Sequence, residues 1–160
     1  SALEGLTAVA EPAELPPRIL FACTFNAVRS PMAAAILDQL AGRRFFVASA
    51  GVRRGHGDPY VMAAMEEIGI DVTLHHPRVF ADLERQTFST IVTLSPEAQH
   101  HAVELTRVMK ADVEYWPTFD PSLLPPETGR VTTLNAYRKL RDELIVRIKQ
   151  RFAIAGGPSV

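Results

Sequence analysis

Apolar positions along the chain alternate between two kinds of run. Ile19-Leu20-Phe21-Ala22 is short and unbroken, the pattern of a central parallel strand buried on both faces. Phe45 to Ser49, Thr90 to Leu94 and Val113 to Trp116 read as three further strands. Between the strands the period becomes helical. Met32, Ile36, Leu37 and Leu40 follow Ser30-Pro31 and stop at Gly42, and Met62, Met65 and Ile68 follow Asp58-Pro59 and stop at Gly69. A third helix opens at Ser95-Pro96-Glu97 and runs through Leu105 and Met109. The last carries Leu134, Tyr137, Leu144, Ile148 and Phe152, ahead of Gly156-Gly157-Pro158. In each of the first three starts, a Ser or Asp cap precedes Pro, which loses no backbone bond at the first helical position.

Strands alternating with helices imply right-handed crossovers and a parallel sheet covered on both faces. Ligands of such sheets bind beyond the carboxyl ends of the strands. Cys23 falls at the end of the first strand and Asp120 after the end of the fourth, so the two are expected at one rim. Residues 1–17, with three Glu and three Pro among scattered apolar residues, read as a loose tail. A single domain is expected over 18–155, with a short C-terminal tail over 156–160.

Composition narrows the function. The chain has 160 residues, 47% of them apolar, and a net charge of −1, so no basic excess drives nucleic-acid binding. No apolar run has transmembrane length, and no basic-then-apolar signal pattern opens the chain, so neither a membrane nor secretion is expected. Cys23 is the only cysteine. It can form no internal disulfide or cysteine zinc cluster, and it fits a reducing cytoplasm. His75-His76 and His100-His101 have no carboxylate at ligand spacing, so no metal and no cofactor is expected. Arg53 and Arg54 are expected to be solvated, and Trp116, Met62 and Met65 to pack.

The chemistry gathers at Cys23-Thr24-Phe25-Asn26-Ala27-Val28-Arg29-Ser30. A short loop between a strand end and a helix start can curl so that its amide N–H groups converge on an anion, helped by the positive helix end. The same field favours thiolate over thiol. Arg29 would grip two oxygens as a fork, and the Ser30 hydroxyl would donate to the thiolate. A thiolate beneath a phosphate can attack phosphorus in line, with charge on the equatorial oxygens held by the loop and Arg29.

This segment, with its strand before and helix after, resembles the low-molecular-weight protein tyrosine phosphatases and the related arsenate reductases. The likeness extends over most of 18–152. Ser49-Ala50-Gly51 follows the second strand, and Asp120-Pro121 lies in the late loop, both as in that family. The resemblance implies a three-layer α/β/α fold with a four-stranded parallel sheet and the phosphate-binding loop after the first strand. It implies Cys23 as nucleophile, Arg29 as clamp, Ser30 as thiolate partner, and Asp120 as the acid that protonates the leaving oxygen and then activates water. Asn26 and Ser49 would shape the loop, with His75 near it. The implied substrate is a phosphotyrosine protein or small aryl phosphate. From its own neighbourhood, Asp120 has no evident helix to cap, and Phe119 and Trp116 would shield it from water, which suits an acid.

Several residues depart from the family pattern. Phe25 stands where Gly is usual, and would either narrow the mouth or stack on an aryl substrate. The 51–58 loop lacks the aromatic residue that often walls the phosphotyrosine pocket, Ser122 replaces a Tyr, and Val28 replaces a second loop cysteine. Met65 to Asp71 looks more like the reductases. Arsenate reduction by this chain would require an external small thiol. A third possibility is a phosphate- or phosphopeptide-binding module without turnover, which would need neither thiol nor acid.

Overall fold

A computed structural model describes residues 15–154. The tail expected over 1–17 therefore lies outside the described residues as far as residue 14, as does the one over 156–160. Four strands, β1 (Arg18–Cys23), β2 (Phe46–Gly51), β3 (Thr90–Thr93) and β4 (Asp112–Tyr115), form one sheet in the order β2-β1-β3-β4. Every pairing is parallel, with Leu20 opposite Ala48 on one side and Ile91 on the other. The chain leaves β1 toward one edge and later returns to its other flank. The topological switch point thus falls beside the carboxyl end of β1, where Cys23 sits.

Helices α1 (Arg29–Ala41), α2 (Pro59–Glu66), α3 (Pro96–Leu105) and α4 (Arg130–Arg151) complete three layers. The pleat of β1 divides its side chains between two cores. Ile19, Phe21 and Cys23 join Met32, Ile36 and Leu37 of α1, Met65 of α2, and Tyr137, Leu144 and Ile148 of α4. Leu20 and Ala22 face the other way, onto Phe80, Leu83, Phe88 and the small residues Ala98 and Ala102 of α3. The first core is closed by Phe21 edge-on to Trp116 (centroids 6.1 Å apart) and to Phe152 (6.4 Å).

Two of the three expected caps form. The Asp58 carboxylate accepts from Tyr60 N at 2.9 Å, and the Ser95 hydroxyl accepts from Ala98 N at 3.2 Å. Ser30 does not cap α1. That helix begins two residues earlier, at Arg29, with Val28 at the cap position and no side-chain cap bond, because the Ser30 hydroxyl is engaged with the loop. The structure also moves other expected boundaries. β2 extends to Gly51, β4 ends before Trp116 turns into the core, α3 ends at Leu105, and α4 ends at Arg151 ahead of the glycines. Met62 lies half-buried, while Val61, Ala64 and Met65 form the packed face of α2. The end of α2 is fastened to α4 by Glu67, which accepts from Arg138 and Arg141. Those two guanidiniums hold the Glu67 carboxylate down to a pKa of about 2.

Candidate active site

The loop after β1 is built outward-in. Its carbonyls are taken by neighbouring segments: Cys23 O by Val52 N (3.2 Å), Thr24 O by Arg53 N (2.8 Å) and Phe25 O by Gly55 N (2.9 Å). Asn26 O pairs with His75 Nε2 at 2.9 Å. Among the described residues, no amide N–H from Thr24 to Val28 donates to another backbone group. Their partners are left to whatever the loop encloses, the arrangement of an anion cradle at a helix start.

Asn26 fixes the curl. Its φ of +52° is left-handed, a conformation Asn tolerates better than most residues. Its side chain is fully buried and fully used. Nδ2 donates to Ser30 Oγ and Ser49 Oγ, each at 2.9 Å, while Oδ1 accepts from Arg78 N at 2.9 Å. Ser30 Oγ in turn lies 2.9 Å from Cys23 Sγ. With Asn26 donating to it, the Ser30 hydroxyl is free to give its own proton to a thiolate. Thr24 Oγ1 donates to Ser95 Oγ at 3.0 Å, tying the loop to the start of α3.

Gly51 is required by close approach. A Cβ there would stand 2.7 Å from Asn26 N and from Arg53 O, so any side chain would push the loop out of shape.

Arg29 is buried at the first position of α1. One terminal nitrogen is pinned by two carbonyls, Thr118 O at 2.9 Å and Leu94 O at 3.2 Å. The other lies 3.6 Å from Asp120 Oδ2. Nε is buried with no hydrogen-bond partner. The edge formed by Nε and the second nitrogen is thus uncommitted to tight protein bonds, which is the edge that holds a phosphate as a fork.

Asp120 does have a turn to cap, contrary to expectation. Its Oδ1 accepts from Ser122 N (2.9 Å) and Ser122 Oγ (2.7 Å), capping the short 3₁₀ turn Pro121–Leu123. The turn orients the carboxylate, so that Oδ2 is the atom presented to Arg29. Phe119 does not shield it as expected: the ring is 63% exposed, and the buried aromatic is Trp116.

The structure therefore brings Cys23, Asn26, Arg29, Ser30, Ser49, His75 and Asp120 to one rim, with Thr24, Ala27 and Val28 in the loop and Phe25 at its mouth. Residues 18–147 match the low molecular weight phosphotyrosine protein phosphatase family. The chain belongs to that family. An arsenate reductase of Staphylococcus aureus is 28% identical over 131 residues, 82% of this chain and 92% of its own length. An arginine phosphatase from Geobacillus stearothermophilus has a TM-score of 0.70 at 26% identity, covering 85% of this chain and 90% of its own. A tyrosine phosphatase from Erwinia amylovora has the same fold, with a TM-score of 0.70 at 18% identity over 88% and 95% of the two chains. Membership makes this a cysteine-phosphatase-type enzyme family, with phosphatases and arsenate reductases both among its near relatives.

Two supporting residues escaped the sequence. Ser95 was legible as a cap, and its place at the end of a strand neighbouring β1 was the available sign of its second bond, to Thr24. Arg78 had no such sign, because it contributes a backbone N–H from a segment 52 positions beyond Asn26. Arg53 and Arg54 are not simply solvated, as they pair with Glu97 (2.7 Å) and Asp82 (2.8 Å). His101 stacks on Phe80 with centroids 4.3 Å apart.

Burial first, and then the charges of Arg78 and His76, push the His75 imidazole below its ordinary value, against the bond to Asn26 O. The folded state thus binds fewer protons than the unfolded chain as pH falls through the ordinary histidine range, so His75 erodes stability on acidification. The melting temperature of wild type should fall further between pH 7.5 and 5.5 than that of His75→Gln, which keeps an N–H donor but cannot titrate. Parallel losses in both proteins would refute the assignment.

Proposed function

We propose that this chain is a cysteine-dependent phosphomonoesterase that hydrolyses phosphotyrosine or similar aryl phosphates. Cys23 Sγ, as thiolate, attacks phosphorus while the P–O bond to the leaving group breaks, and Asp120 gives its proton to the departing oxygen. Asp120 then takes a proton from water, whose oxygen attacks phosphorus and breaks the P–S bond. Inorganic phosphate and the Cys23 thiolate are released, and the cycle is balanced. The loop amides and Arg29 hold the three equatorial oxygens throughout, and Ser30 stabilises the thiolate before attack and after release. The observation that carries this function is the buried Arg29 guanidinium, with Nε unpartnered, beside a cysteine whose hydroxyl partner is already in place. Thiolate chemistry of this kind belongs in a reducing compartment, and the cytoplasm is proposed. No helix among the described residues is long and apolar enough to cross a membrane.

The test is rapid quenching during p-nitrophenyl phosphate turnover with EDTA present. A phosphoryl group should be found on Cys23. Asp120→Asn keeps an oxygen to cap the 121–123 turn but has no proton to cycle. It should slow turnover by roughly 10²-fold or more, most for alkyl-like leaving groups and least for nitrophenolate. Equal losses across leaving groups would remove Asp120 as the acid.

The 28% identity to an arsenate reductase favours a second activity, reduction of arsenate. Cys23 is the only cysteine, so the second of the two thiols oxidised to a disulfide would be external. Arsenite formation that requires an added small thiol, with no phosphate release, would move the chain to that activity. Absence of both would leave a phosphate-binding module.

A further inference from the structure

Of the loop residues after Cys23, Phe25 alone is a large apolar side chain held at the surface. Its ring is 41% exposed, while Thr24, Asn26, Val28, Arg29 and Ser30 are all buried. Phe25 thus presents apolar surface two residues from the nucleophile. Its position is nevertheless tightly built. Phe25 O accepts from Gly55 N at 2.9 Å, and a Cβ on Gly55 would stand 2.9 Å from Phe25 Cβ, so the 51–55 loop clears its own side chain to let Phe25 lie against it.

Arg53 then passes over the ring, its guanidinium carbon 5.8 Å from the centroid, and reaches Glu97 in the first turn of α3 at 2.7 Å. The ring is strapped between the loop after β2 and the start of α3. Gly55, against the Phe25 backbone and Cβ, and Arg53, over its ring, both belong to the 51–55 loop, and the side chain they flank stays exposed two residues from Cys23.

We infer that Phe25, held by Gly55 and the Arg53–Glu97 strap, is the specificity-determining wall of this site and selects phosphate esters of aromatic alcohols by packing against the leaving-group ring. The inference deepens the proposed phosphatase function and rests on the cradle binding a phosphoryl group. A fixed ring stacks on another ring with little loss of side-chain entropy, and an aromatic pair is worth enough to set a preference of roughly tenfold.

The experiment uses non-hydrolysable probes, so that binding is read without turnover. Calorimetry gives the dissociation constants of phenylphosphonate and methylphosphonate for wild type, Phe25→Ala and Phe25→Leu. Wild type should prefer the phenyl compound by roughly tenfold. The preference should collapse to about one in Phe25→Ala and stay well below wild type in Phe25→Leu, which keeps apolar bulk without a ring. A wild-type preference retained in either variant overturns the inference while leaving the cradle intact. Failure of wild type to bind either phosphonate instead defeats the cradle itself, and the inference with it.

Discussion

Cys23→Ser should abolish p-nitrophenyl phosphate hydrolysis, with a loss on the order of 10⁵-fold or more in kcat, as expected when a covalent nucleophile is removed. The reason is chemical, because the fold should barely notice. Cys23 Sγ is buried and lies 2.9 Å from Ser30 Oγ, an approach that a serine hydroxyl can also make. A serine hydroxyl, however, is a far weaker nucleophile than a cysteine thiolate at neutral pH, and the role proposed for Asp120 is to serve the leaving oxygen rather than to deprotonate residue 23. Inorganic phosphate should still bind the variant, since the loop N–H groups and Arg29 are untouched. Steady-state kinetics with phosphate titration by calorimetry separates the two. Substantial hydrolysis by Cys23→Ser would mean that water attacks phosphorus directly. Loss of phosphate binding together with turnover would mean that the substitution had disturbed the cradle.

Much of this architecture is legible in the amino-acid sequence, for physical reasons that differ by element. β1 and β3 are buried on both faces, so Ile19 to Cys23 is an unbroken apolar run and Ile91-Val92 sits between two buried β-branched threonines, and their positions were plain. β4 is an edge strand with no fully buried residue, and the stretch read from the sequence ended on Trp116, which leaves the ladder to pack on Phe21. The expected strand was therefore displaced by one residue. Asp58 and Ser95 cap helices because their side chains are otherwise free to do so. Ser30 fits the same Ser-Pro pattern, but its hydroxyl belongs to Cys23 and Asn26, and a local pattern cannot register that competition. The Asp120 cap was missed because a three-residue turn has no periodicity to detect. The loop's outer shell, His75 and the Arg78 N–H, comes from about 50 positions away and exists only once β2 and its following loop are folded against β1.

Arg29→Lys is the sharper probe of how the site handles charge. It keeps the cation and should still lose roughly 10³-fold or more in kcat/KM, because a point charge cannot reproduce what the guanidinium does here. One nitrogen of Arg29 is spent on Thr118 O and Leu94 O, which hold the side chain in place and tie the segment before Asp120 to the end of β3. Nε and the other nitrogen remain for two phosphate oxygens, and the latter also faces Asp120 Oδ2 across 3.6 Å. A lysine ammonium can satisfy the carbonyls or the phosphate, and doing both costs it the in-line geometry. Arg29→Ala should lose more, and should melt earlier as well, since Thr118 O is left without a donor at about 1–3 kcal/mol, while Leu94 O keeps Thr118 N at 3.2 Å. Lysine removes most of that ambiguity. If Arg29→Lys melts within a few degrees of wild type yet falls 10³-fold in kcat/KM, with weakened phosphate binding, the fork is what the site requires. If it retains near-wild-type kcat/KM, charge alone suffices and the unpartnered Nε has no part in holding phosphate.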